Sequence, residues 1–531
     1  MIDLTVAQIA DIVGGRLADI TAEEAARTHV TATVEFDSRN LTPGGLFLAL
    51  PGARTDGHDF ARAAVAAGAV AVLAARPVGV AAIVVPPAAA TDAHAGVLEH
   101  DADGSGAAVL AALATLAAAV AAELVAGGLR IVGVTGSSGK TSTKDLIAAV
   151  LRPLGEVVAP PGSFNNELGH PWTVLRATGD TDFLVLEMSA RHPGNIAALA
   201  RIAPPSIAVV LNVGTAHLGE FGSREAIATT KAELVQAVPA SGVVVLNADD
   251  PVVAAMAAHT SARVVTVGRS ETADVRAEDV ELDELARPRF TLRAPGGSVA
   301  VQLAVHGEHQ VGNALSAAAV ALECGAGLAQ VADALAGAAP ASRHRMEVRR
   351  RADGVTVIND AYNANPDSMR AGLQALAVMA RSGAQNRSWA VLGEMGELGE
   401  DSITEHDRIG RLAVRLDISR LVVVGSGRPM SAMHQGAVME GSWGSESVQV
   451  PDADAALELL REELSPGDVV LVKASNAAGL GTLAEALLAA ESTMRPRDEV
   501  EEERGTQAAE STMRPRDEVE EERGTQTEPA T

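Results

Sequence analysis

The chain has 531 residues and a formal net charge of -26; 47% of its residues are hydrophobic and 21% are charged. A chain this long and this apolar predicts a globular protein of about three or four domains. The acidic balance offers no countercharge to polyanions, which argues against nucleic acid or an anionic membrane as a partner. Aromatic residues reach only 2%, so we expect cores built from Ala, Val and Leu.

A single cysteine, Cys324, excludes an intramolecular disulfide and a cysteine-based metal cluster. Its apolar neighbours predict a buried, inert thiol. The residues after Met1 lack the basic and apolar pattern of a signal peptide, and the apolar run 107–122 is too short and too rich in Ala to span a bilayer. We therefore expect a cytoplasmic protein without membrane insertion, in which this run is a buried helix.

In chain order, we interpret residues 1–105 as a small α/β domain with strands at 32–36 and 69–73. In the second region, 106–342, a helix at 107–126 is followed by apolar runs that alternate with helical patterns. Short apolar strands separated by helices indicate a mainly parallel sheet covered on both faces. The predicted strands of this region are 131–134, 183–186, 207–211 and 243–246.

The third region, 343–488, repeats the alternation of strand and helix and predicts a Rossmann-like domain. Its predicted strands are 355–358, 388–392, 421–424 and 469–472. In the tail, 489–531, the segment 489–507 recurs unchanged as 508–526. Two copies are too few for a stacked repeat fold, and the Glu/Arg-rich composition predicts a solvated, disordered acidic tail. The predicted fold class is therefore α/β, with three domains and a tail.

The sharpest local signal is a strand, a Gly-rich loop and a helix: Ile131-Val-Gly-Val-Thr-Gly-Ser-Ser-Gly-Lys-Thr. Glycines let backbone N–H groups converge on phosphate oxygens, and the helix N-terminus adds positive partial charge. Lys140 is placed to reach the β- and γ-phosphates, and the Thr141 hydroxyl to ligate Mg²⁺. Val134 occupies the position of the first glycine in the strict pattern, which indicates a variant loop. Such a loop binds nucleotide but names no reaction.

Several further blocks make the chain similar to the Mur ligase family over nearly all of 1–488. The family's form of the ATP loop also accounts for Val134. The shared blocks are Asp37-Ser-Arg, Gly52-Ala-Arg-Thr-Asp-Gly-His, Asn165-Asn-Glu-Leu-Gly-His-Pro, Leu186-Glu-Met-Ser-Ala-Arg-His, Asn212-Val-Gly-Thr-Ala-His and Gly307-Glu-His-Gln-Val-Gly-Asn-Ala. Two more blocks resemble the members that add D-alanyl-D-alanine: Asp360-Ala-Tyr-Asn-Ala-Asn-Pro-Asp and Leu392-Gly-Glu-Met-Gly-Glu-Leu-Gly.

The resemblance implies a UDP-substrate-binding domain (1–105), an ATP-binding domain (106–342) and a ligase domain (343–488). It implies that ATP phosphorylates the free carboxylate of a UDP-MurNAc-tripeptide to an acyl phosphate, which the amine of D-Ala-D-Ala then attacks. This step belongs to cytoplasmic peptidoglycan precursor synthesis. ATP and two Mg²⁺ ions are the expected cofactors, and a monomer is the expected state.

The resemblance also implies roles for individual residues. Glu187 ends a buried strand at its carboxyl edge, where open α/β sheets place ligands, and is the leading Mg²⁺ ligand. The other implied metal ligands are Thr141, His217 and a carbamylated Lys231. Lys140, Lys231, His217 and Arg345 are the implied catalytic residues. Nucleotide contacts are implied for Gly136, Ser137, Ser138, Gly139, Lys140, Thr141, Asn313 (adenine), Arg345 (γ-phosphate) and Asp360.

Substrate contacts are implied for residues of all three regions. For the Asn-Ala-Asn-Pro stretch, a turn is an equally good interpretation. Lys473-Ala-Ser-Asn departs from the Lys-Gly-Ser-Arg of the family, and Asn476 has no charge to offer an anion. The implied substrate-binding residues are Ser38, Arg39, Asn165, Asn166, His192, Tyr362, Asn363 and Asn365.

Two other functions stay open from the sequence. One is a related ligase that adds a single amino acid, MurE-like or similar to folylpolyglutamate synthase. The other is a nucleotide-switch module that hydrolyses ATP slowly and shows no turnover dependent on an acceptor. The third residue of the tripeptide stays open too.

Overall fold

The computed structural model describes residues 1–52, 54–87, 101, 103–214, 218–383, 386–441 and 446–489. The duplicated tail from 490 onward and His217 lie outside the described residues, so the expectations for them are not addressed by the fold.

The N-terminal region contains a small parallel-dominated sheet. Helix α1 (Val6–Val13) begins at a capping box formed by Thr5 and Gln8 and ends at Gly14, whose φ of 64° suits a glycine. The strands are β1 (Leu4–Thr5), β2 (Arg16–Ala18), β3 (His29–Val30), β4 (Val34–Glu35), β5 (Gly45–Leu48), β6 (Ala69–Ala74) and β7 (Ala82–Val84), and the helices are α1 (Val6–Val13), α2 (Ala22–Ala25) and α3 (Ala61–Ala66). Strands β2-β7-β6-β5-β4 form one sheet in that order, and β1 pairs with β3.

The central region is built on nine strands. The strands are β8 (Arg130–Thr135), β9 (Val157–Val158), β10 (Phe183–Glu187), β11 (Ile207–Val210), β12 (Val243–Asn247), β13 (Arg263–Gly268), β14 (Val275–Leu282), β15 (Pro288–Ala294) and β16 (Gly297–Gln302). The helices are α4 (Ser105–Ala126), α5 (Lys140–Leu151), α6 (Gly169–Val174), α7 (Asn195–Ile202), α8 (Leu218–Phe221), α9 (Arg224–Ala237), α10 (Pro251–Ala254), α11 (Gln310–Glu323) and α12 (Leu328–Gly337).

Alternate residues of β8 and β10 point into two different cores. Ile131 and Leu184 belong to the core that includes α4, and Val132 and Val185 belong to the core that includes α5 and α11. Because side chains alternate along a strand, this is the pattern of a sheet covered by helices on both faces. The predicted doubly covered sheet is confirmed.

The sheet order is β16-β15-β14-β13-β12-β11-β8-β10-β9. The pairs from β9 to β14 are parallel, whereas β15 pairs antiparallel with both β14 and β16. This antiparallel extension was not predicted from the sequence. Its strands alternate buried and exposed residues because one face is solvated, so they lack the continuous apolar runs of the central strands.

Helix α4 is long and apolar, and among the described helices it alone could cross a bilayer by length and composition. In the most apolar 18-residue stretch of this helix, 56% is buried inside the protein. Leu113 and Leu116 are fully buried in the core shared with the N-terminal region. The predicted buried helix is confirmed.

The thiol of Cys324 is half-buried, where the sequence predicted full burial. The residue is the C-cap of α11, so its side chain lies at the edge of the core. Burial raises the pKa of this thiol, which keeps it protonated and poorly nucleophilic.

The C-terminal region has a six-stranded sheet. The strands are β17 (Glu347–Arg350), β18 (Thr356–Asn359), β19 (Ser388–Leu392), β20 (Arg420–Val424), β21 (Ser447–Val450) and β22 (Val469–Lys473), and the helices are α13 (Pro366–Arg381), α14 (Ser402–Arg415), α15 (Arg428–Glu440), α16 (Ala453–Glu463) and α17 (Leu480–Ala489). The order is β17-β18-β22-β19-β20-β21, parallel except for the edge strand β17. The α/β fold class is confirmed.

Helices α14 and α15 cross at two glycines. A Cβ atom on Gly410 would lie 1.9 Å from the Met433 carbonyl oxygen, and one on Gly436 would lie 2.3 Å from the Asp407 carbonyl oxygen. These distances are shorter than any van der Waals contact, so the helices pack backbone to backbone here.

We expect Gly410→Ala to lower the free energy of unfolding by about 1–3 kcal/mol, because the added methyl group forces the helices apart. The urea midpoint measures this change. Gly337→Ala in α12 is the matched control, since its added Cβ meets no described atom within 4 Å. A wild-type midpoint for Gly410→Ala would contradict the packing.

Candidate active site

A cleft of about 1480 Å³ lies between the central and C-terminal sheets. It opens at the carboxyl ends of β8, β10 and β18, where α/β sheets place their ligands. The cleft brings together predicted site residues from both regions. Those that line it are Ser137, Ser138, Gly139, Lys140, Thr141, Asn165, Asn166, Glu187, His192, Asn313, Arg345, Asp360, Tyr362, Asn363 and Asn365.

Among the described residues, four predicted ones do not line this cleft. Gly136 is buried at the start of the loop, and Lys231 is buried in α9. Ser38 and Arg39 lie in a short 3₁₀ turn of the N-terminal region, where the exposed Arg39 pairs with Asp37 at 2.7 Å. The cleft therefore brings together most of the residues predicted to contact the nucleotide and those predicted from the C-terminal region. Ser38 and Arg39, predicted to bind substrate in the N-terminal region, lie outside it.

The glycine-rich loop is held in place by Asn212. The Asn212 Oδ1 atom accepts the N–H groups of Ser137 and Ser138, each at 2.9 Å, and its Nδ2 donates to the Ser138 carbonyl at 3.2 Å. These two N–H groups therefore serve the loop itself, whereas the glycine pattern predicted that the loop amides in general converge on phosphate. The first-turn N–H groups of α5, which have no helical partner, are left for an anion.

Gly139 caps α5 with a φ of 80°. A Cβ atom here would lie 2.7 Å from Asn313 Oδ1, so both the left-handed backbone and the close approach of Asn313 favour glycine. Asn313 is buried and donates to Gln310 Oε1 at 2.9 Å. The start of α11 therefore packs directly against the loop.

Lys140 is folded back on the loop, and its Nζ donates to the Gly136 carbonyl at 2.8 Å. Burial lowers its pKa, while the nearby Glu187 carboxylate opposes the change. An anion bound in the cleft would favour the charged amine.

Thr141, Glu187 and Ser163 form a cluster of oxygen atoms. Thr141 Oγ1 donates to Glu187 Oε2 at 2.9 Å and lies 2.7 Å from Ser163 Oγ. Asn165 Nδ2 donates to Glu187 Oε1 at 2.7 Å. Mg²⁺ is bound through hydroxyl and carboxylate oxygens of this kind, so the donor set fits the ion. Ser163 was not predicted, although it lies only two residues before the predicted Asn165.

Arg345 reaches this cluster from the start of the C-terminal region. Its Nη2 donates to Ser163 Oγ at 3.0 Å and to Thr141 Oγ1 at 3.4 Å. Its guanidinium carbon lies 4.3 Å from the centre of the Tyr362 ring. The Arg345 guanidinium of the C-terminal region thus contacts the Thr141 hydroxyl of the central region.

Asp360 is engaged in contacts within the protein. Its Oδ1 accepts the Met346 N–H at 3.0 Å, and Lys473 Nζ donates to its Oδ2 at 2.5 Å. Lys473 also donates to the Asn363 carbonyl at 3.0 Å. In the sequence, Lys473 is singled out only by the Lys473-Ala-Ser-Asn motif. No sequence pattern indicates that Lys473 pairs with Asp360.

Asn365 has the role of a helix cap. Its side-chain oxygen accepts the Ser368 N–H at 2.9 Å at the start of α13, next to Pro366. This is the turn interpretation that the sequence left open beside substrate binding. Asn363 and Tyr362 lie on the same turn and line the cleft.

Lys231 is only 7% exposed. Burial, with a smaller contribution from the Lys140 ammonium, lowers its pKa well below the usual value. The lowered pKa makes the neutral amine more accessible than in a solvated lysine. Within the described ranges, no group of three or more His, Cys, Asp or Glu could hold a metal; the predicted partner His217 lies outside them.

The cleft is also lined by loop residues of the central and C-terminal regions. His192 lies there with its N–H donated to Asn195 Oδ1 at 2.9 Å. The neighbouring Arg191 pairs with Glu397 of the C-terminal region at 3.1 Å. Asn476, at the position where the resemblance implied an arginine, also lines the cleft. The Arg191–Glu397 pair was not predicted, because neither residue shows its partner in sequence.

Known proteins share this architecture. The Mur ligase middle domain matches residues 134–321, the Mur ligase glutamate ligase domain matches 344–476, and the Mur ligase family catalytic domain matches 31–121. The UDP-N-acetylmuramoyl-tripeptide–D-alanyl-D-alanine ligase of Mycobacterium tuberculosis is 74% identical over 92% of this chain and 98% of its own.

Solved structures agree with this assignment. A MurF crystal structure from Acinetobacter baumannii has a TM-score of 0.75 at 30% identity and covers 92% of this chain and 99% of its own. A MurF ligase from Thermotoga maritima in complex with ADP has a TM-score of 0.68 at 29% identity, covering 86% of this chain and 97% of its own. The chain belongs to the Mur ligase family.

Proposed function

We propose that this chain is an ATP-dependent ligase that adds D-alanyl-D-alanine to UDP-MurNAc-tripeptide in peptidoglycan synthesis. The observation that carries the proposal is the meeting of the phosphate loop, the Thr141–Glu187 pair and Arg345 in one cleft. Relatives that are 74% identical over nearly their whole length carry this ligase name. A nucleotide-switch module would need neither an arginine from a second region at the phosphate loop nor UDP-MurNAc-tripeptide and D-Ala-D-Ala as substrates.

ATP lies with its phosphates at the start of α5. Lys140 leaves the Gly136 carbonyl and contacts the β- and γ-phosphates, and Arg345 contacts the γ-phosphate from the other sheet. Asn313, which packs against Gly139, reads the adenine. The nucleotide-bound MurF relative supports ATP as the nucleotide.

The chemistry has two steps. A carboxylate oxygen of the tripeptide attacks the γ-phosphorus, the bond to the β-phosphate oxygen breaks, and ADP leaves. The dipeptide amine then attacks the acyl carbon, the amide bond forms, and phosphate leaves with that oxygen while the amine loses a proton. Lys140 and Arg345 reduce the repulsion between the two anions that must meet.

Mg²⁺ bound by Thr141 and Glu187 would supply further positive charge to the phosphates. We assign a second ion to His217 and a carbamylated Lys231. Asn165 orients Glu187 through the hydrogen bond to its Oε1 atom. Each of these residues offers an oxygen or nitrogen donor of the kind these sites use.

The carbamate forms when the neutral Lys231 amine attacks the carbon of CO₂ and loses a proton. Its lowered pKa makes the neutral amine available. The product is a carboxylate-like group that replaces a cation by an anion, which suits a site next to Lys140 and metal ions.

The substrate spans the three regions. We assign UDP to the N-terminal region (1–105), with Ser38 and Arg39, and the reacting groups to the regions 106–342 and 343–488. Asn166, His192, Tyr362 and Asn363 line the cleft where the peptide and dipeptide meet. The protein acts as a monomer in the cytoplasm, where ATP and nucleotide-linked precursors occur.

Phosphate release from ATP with UDP-MurNAc-tripeptide is expected to require D-Ala-D-Ala. Lys140→Ala should lower the rate at least about a hundredfold, because a cation at the transferred phosphoryl group is lost. A coupled phosphate assay measures both. Equal release with D-Ala alone would favour the single amino acid ligase, and release independent of any acceptor would favour the switch module.

Asn212→Ala is expected to weaken ADP binding about tenfold, because two loop N–H groups lose their acceptor and the loop loses its shape. Titration calorimetry measures the dissociation constant. Asn247→Ala is the control, since the Asn247 side-chain amide donates to the Leu211 carbonyl at 2.8 Å, directly after β11. It should lower stability while ADP affinity stays near the wild-type value; equal affinities in both variants would count against the role of Asn212.

With ¹³C-bicarbonate, a carbamate carbon signal is expected in the wild type and not in Lys231→Arg. The signal should fade as the pH drops, because protons drive the release of CO₂ and then protonate the amine. Lys144→Arg is the control: Lys144 is equally buried but pairs with Asp145 at 2.5 Å. A signal that persists in Lys231→Arg and disappears in Lys144→Arg would move the modification to the other lysine.

A further inference from the structure

Arg345 is presented to the loop by backbone that residues with side chains seldom adopt. His344 and Met346, its two neighbours, have φ values of 56° and 50°. A left-handed conformation is unfavourable for non-glycine residues. Contacts from elsewhere in the chain must therefore hold this segment.

The Asp360-Ala-Tyr segment supplies these contacts on both sides of Arg345. Asp360 Oδ1 accepts the Met346 N–H at 3.0 Å, and the Tyr362 N–H donates to the His344 carbonyl at 3.3 Å. Asp360 is itself fixed by the buried Lys473. The backbone on either side of the arginine is thus fastened to one short segment.

The ring of Tyr362 then covers one face of the guanidinium, 4.3 Å from ring centre to guanidinium carbon. Tyr362 is the single tyrosine of the chain. A guanidinium is attracted to an aromatic face, and stacking leaves its N–H groups free to donate in their own plane. Here Nη2 donates to Ser163 Oγ at 3.0 Å, beside the loop threonine.

We propose that Tyr362 is a positioning residue that acts on the nucleotide through Arg345, by holding the guanidinium toward the γ-phosphate. The ring fixes the plane of the guanidinium, while Asp360 and Lys473 fix the backbone that carries it. The inference rests on the proposed function, in which Arg345 acts on the γ-phosphate, and it changes the role that the sequence suggested for Tyr362.

Three nucleotide-binding measurements separate this role from a pocket role. Tyr362→Leu is expected to weaken binding of a non-hydrolysable ATP analogue about tenfold, because the guanidinium loses its platform. ADP affinity should change by less than about twofold, since ADP lacks the γ-phosphate that Arg345 contacts. Tyr362→Phe retains the ring and should stay within about threefold for both nucleotides. If Tyr362→Leu does not fold, Tyr362→Met carries the same expectation, because an unbranched side chain fills the gap.

A double-mutant cycle tests whether the ring acts through the arginine. In the Arg345→Ala background, Tyr362→Leu should change kcat by less than about twofold, whereas alone it lowers kcat about tenfold. Three results would overturn the inference. The first is additive losses of kcat in the double mutant, and the second is a loss of ADP affinity in Tyr362→Leu equal to its loss of affinity for the ATP analogue. The third is a Tyr362→Phe variant that binds the ATP analogue as weakly as Tyr362→Leu. Failure of the ligase proposal is seen separately, as wild-type phosphate release that does not depend on D-Ala-D-Ala, and it leaves the binding measurements interpretable.

Discussion

The register between β8 and β10 is the constraint on which the site depends. Val134 of β8 pairs directly with Glu187, the last residue of β10. This register brings the Glu187 carboxylate to 2.9 Å from the hydroxyl of Thr141, which lies at the start of α5, the helix that follows β8. Side chains alternate along a strand, and a slip of one residue would turn Glu187 to the opposite face of the sheet. The apolar residues of both strands prevent that slip, because it would exchange two well-packed cores. Packing in the sheet interior therefore sets the position of a charged group at its edge.

Around this point the protein collects cations within an acidic chain. Lys140 and Arg345 lie close to one another, although burial lowers the pKa of Lys140. Such a cluster is unfavourable alone and is stabilised by an anionic occupant. In the proposed function, the triphosphate and the substrate carboxylate supply that charge, so the site needs local cations although the net charge of the chain is -26.

The site also depends on two separate sheets. The central region provides the loop and Glu187. The C-terminal region provides Arg345, Tyr362 and the Asp360–Lys473 pair. The Arg191–Glu397 ion pair also joins these two regions. Contacts of this kind form only when the regions lie against each other, so the site is complete only where the central and C-terminal regions meet.

The sequence by itself determined the elements whose signal is local. Continuous apolar runs predicted β8, β10 and β19, and the glycines and Lys140-Thr of the loop predicted the anion site, because each depends on neighbours along the chain. The solvated strands β15 and β16 were missed, since their apolar residues alternate with polar ones. Only the tertiary structure decided that Asn212 holds the loop, that Asp360 pairs with Lys473 and that Tyr362 stacks on Arg345. These partners lie far apart in sequence or on different elements, and strand register and backbone geometry, which no local pattern encodes, bring them into contact.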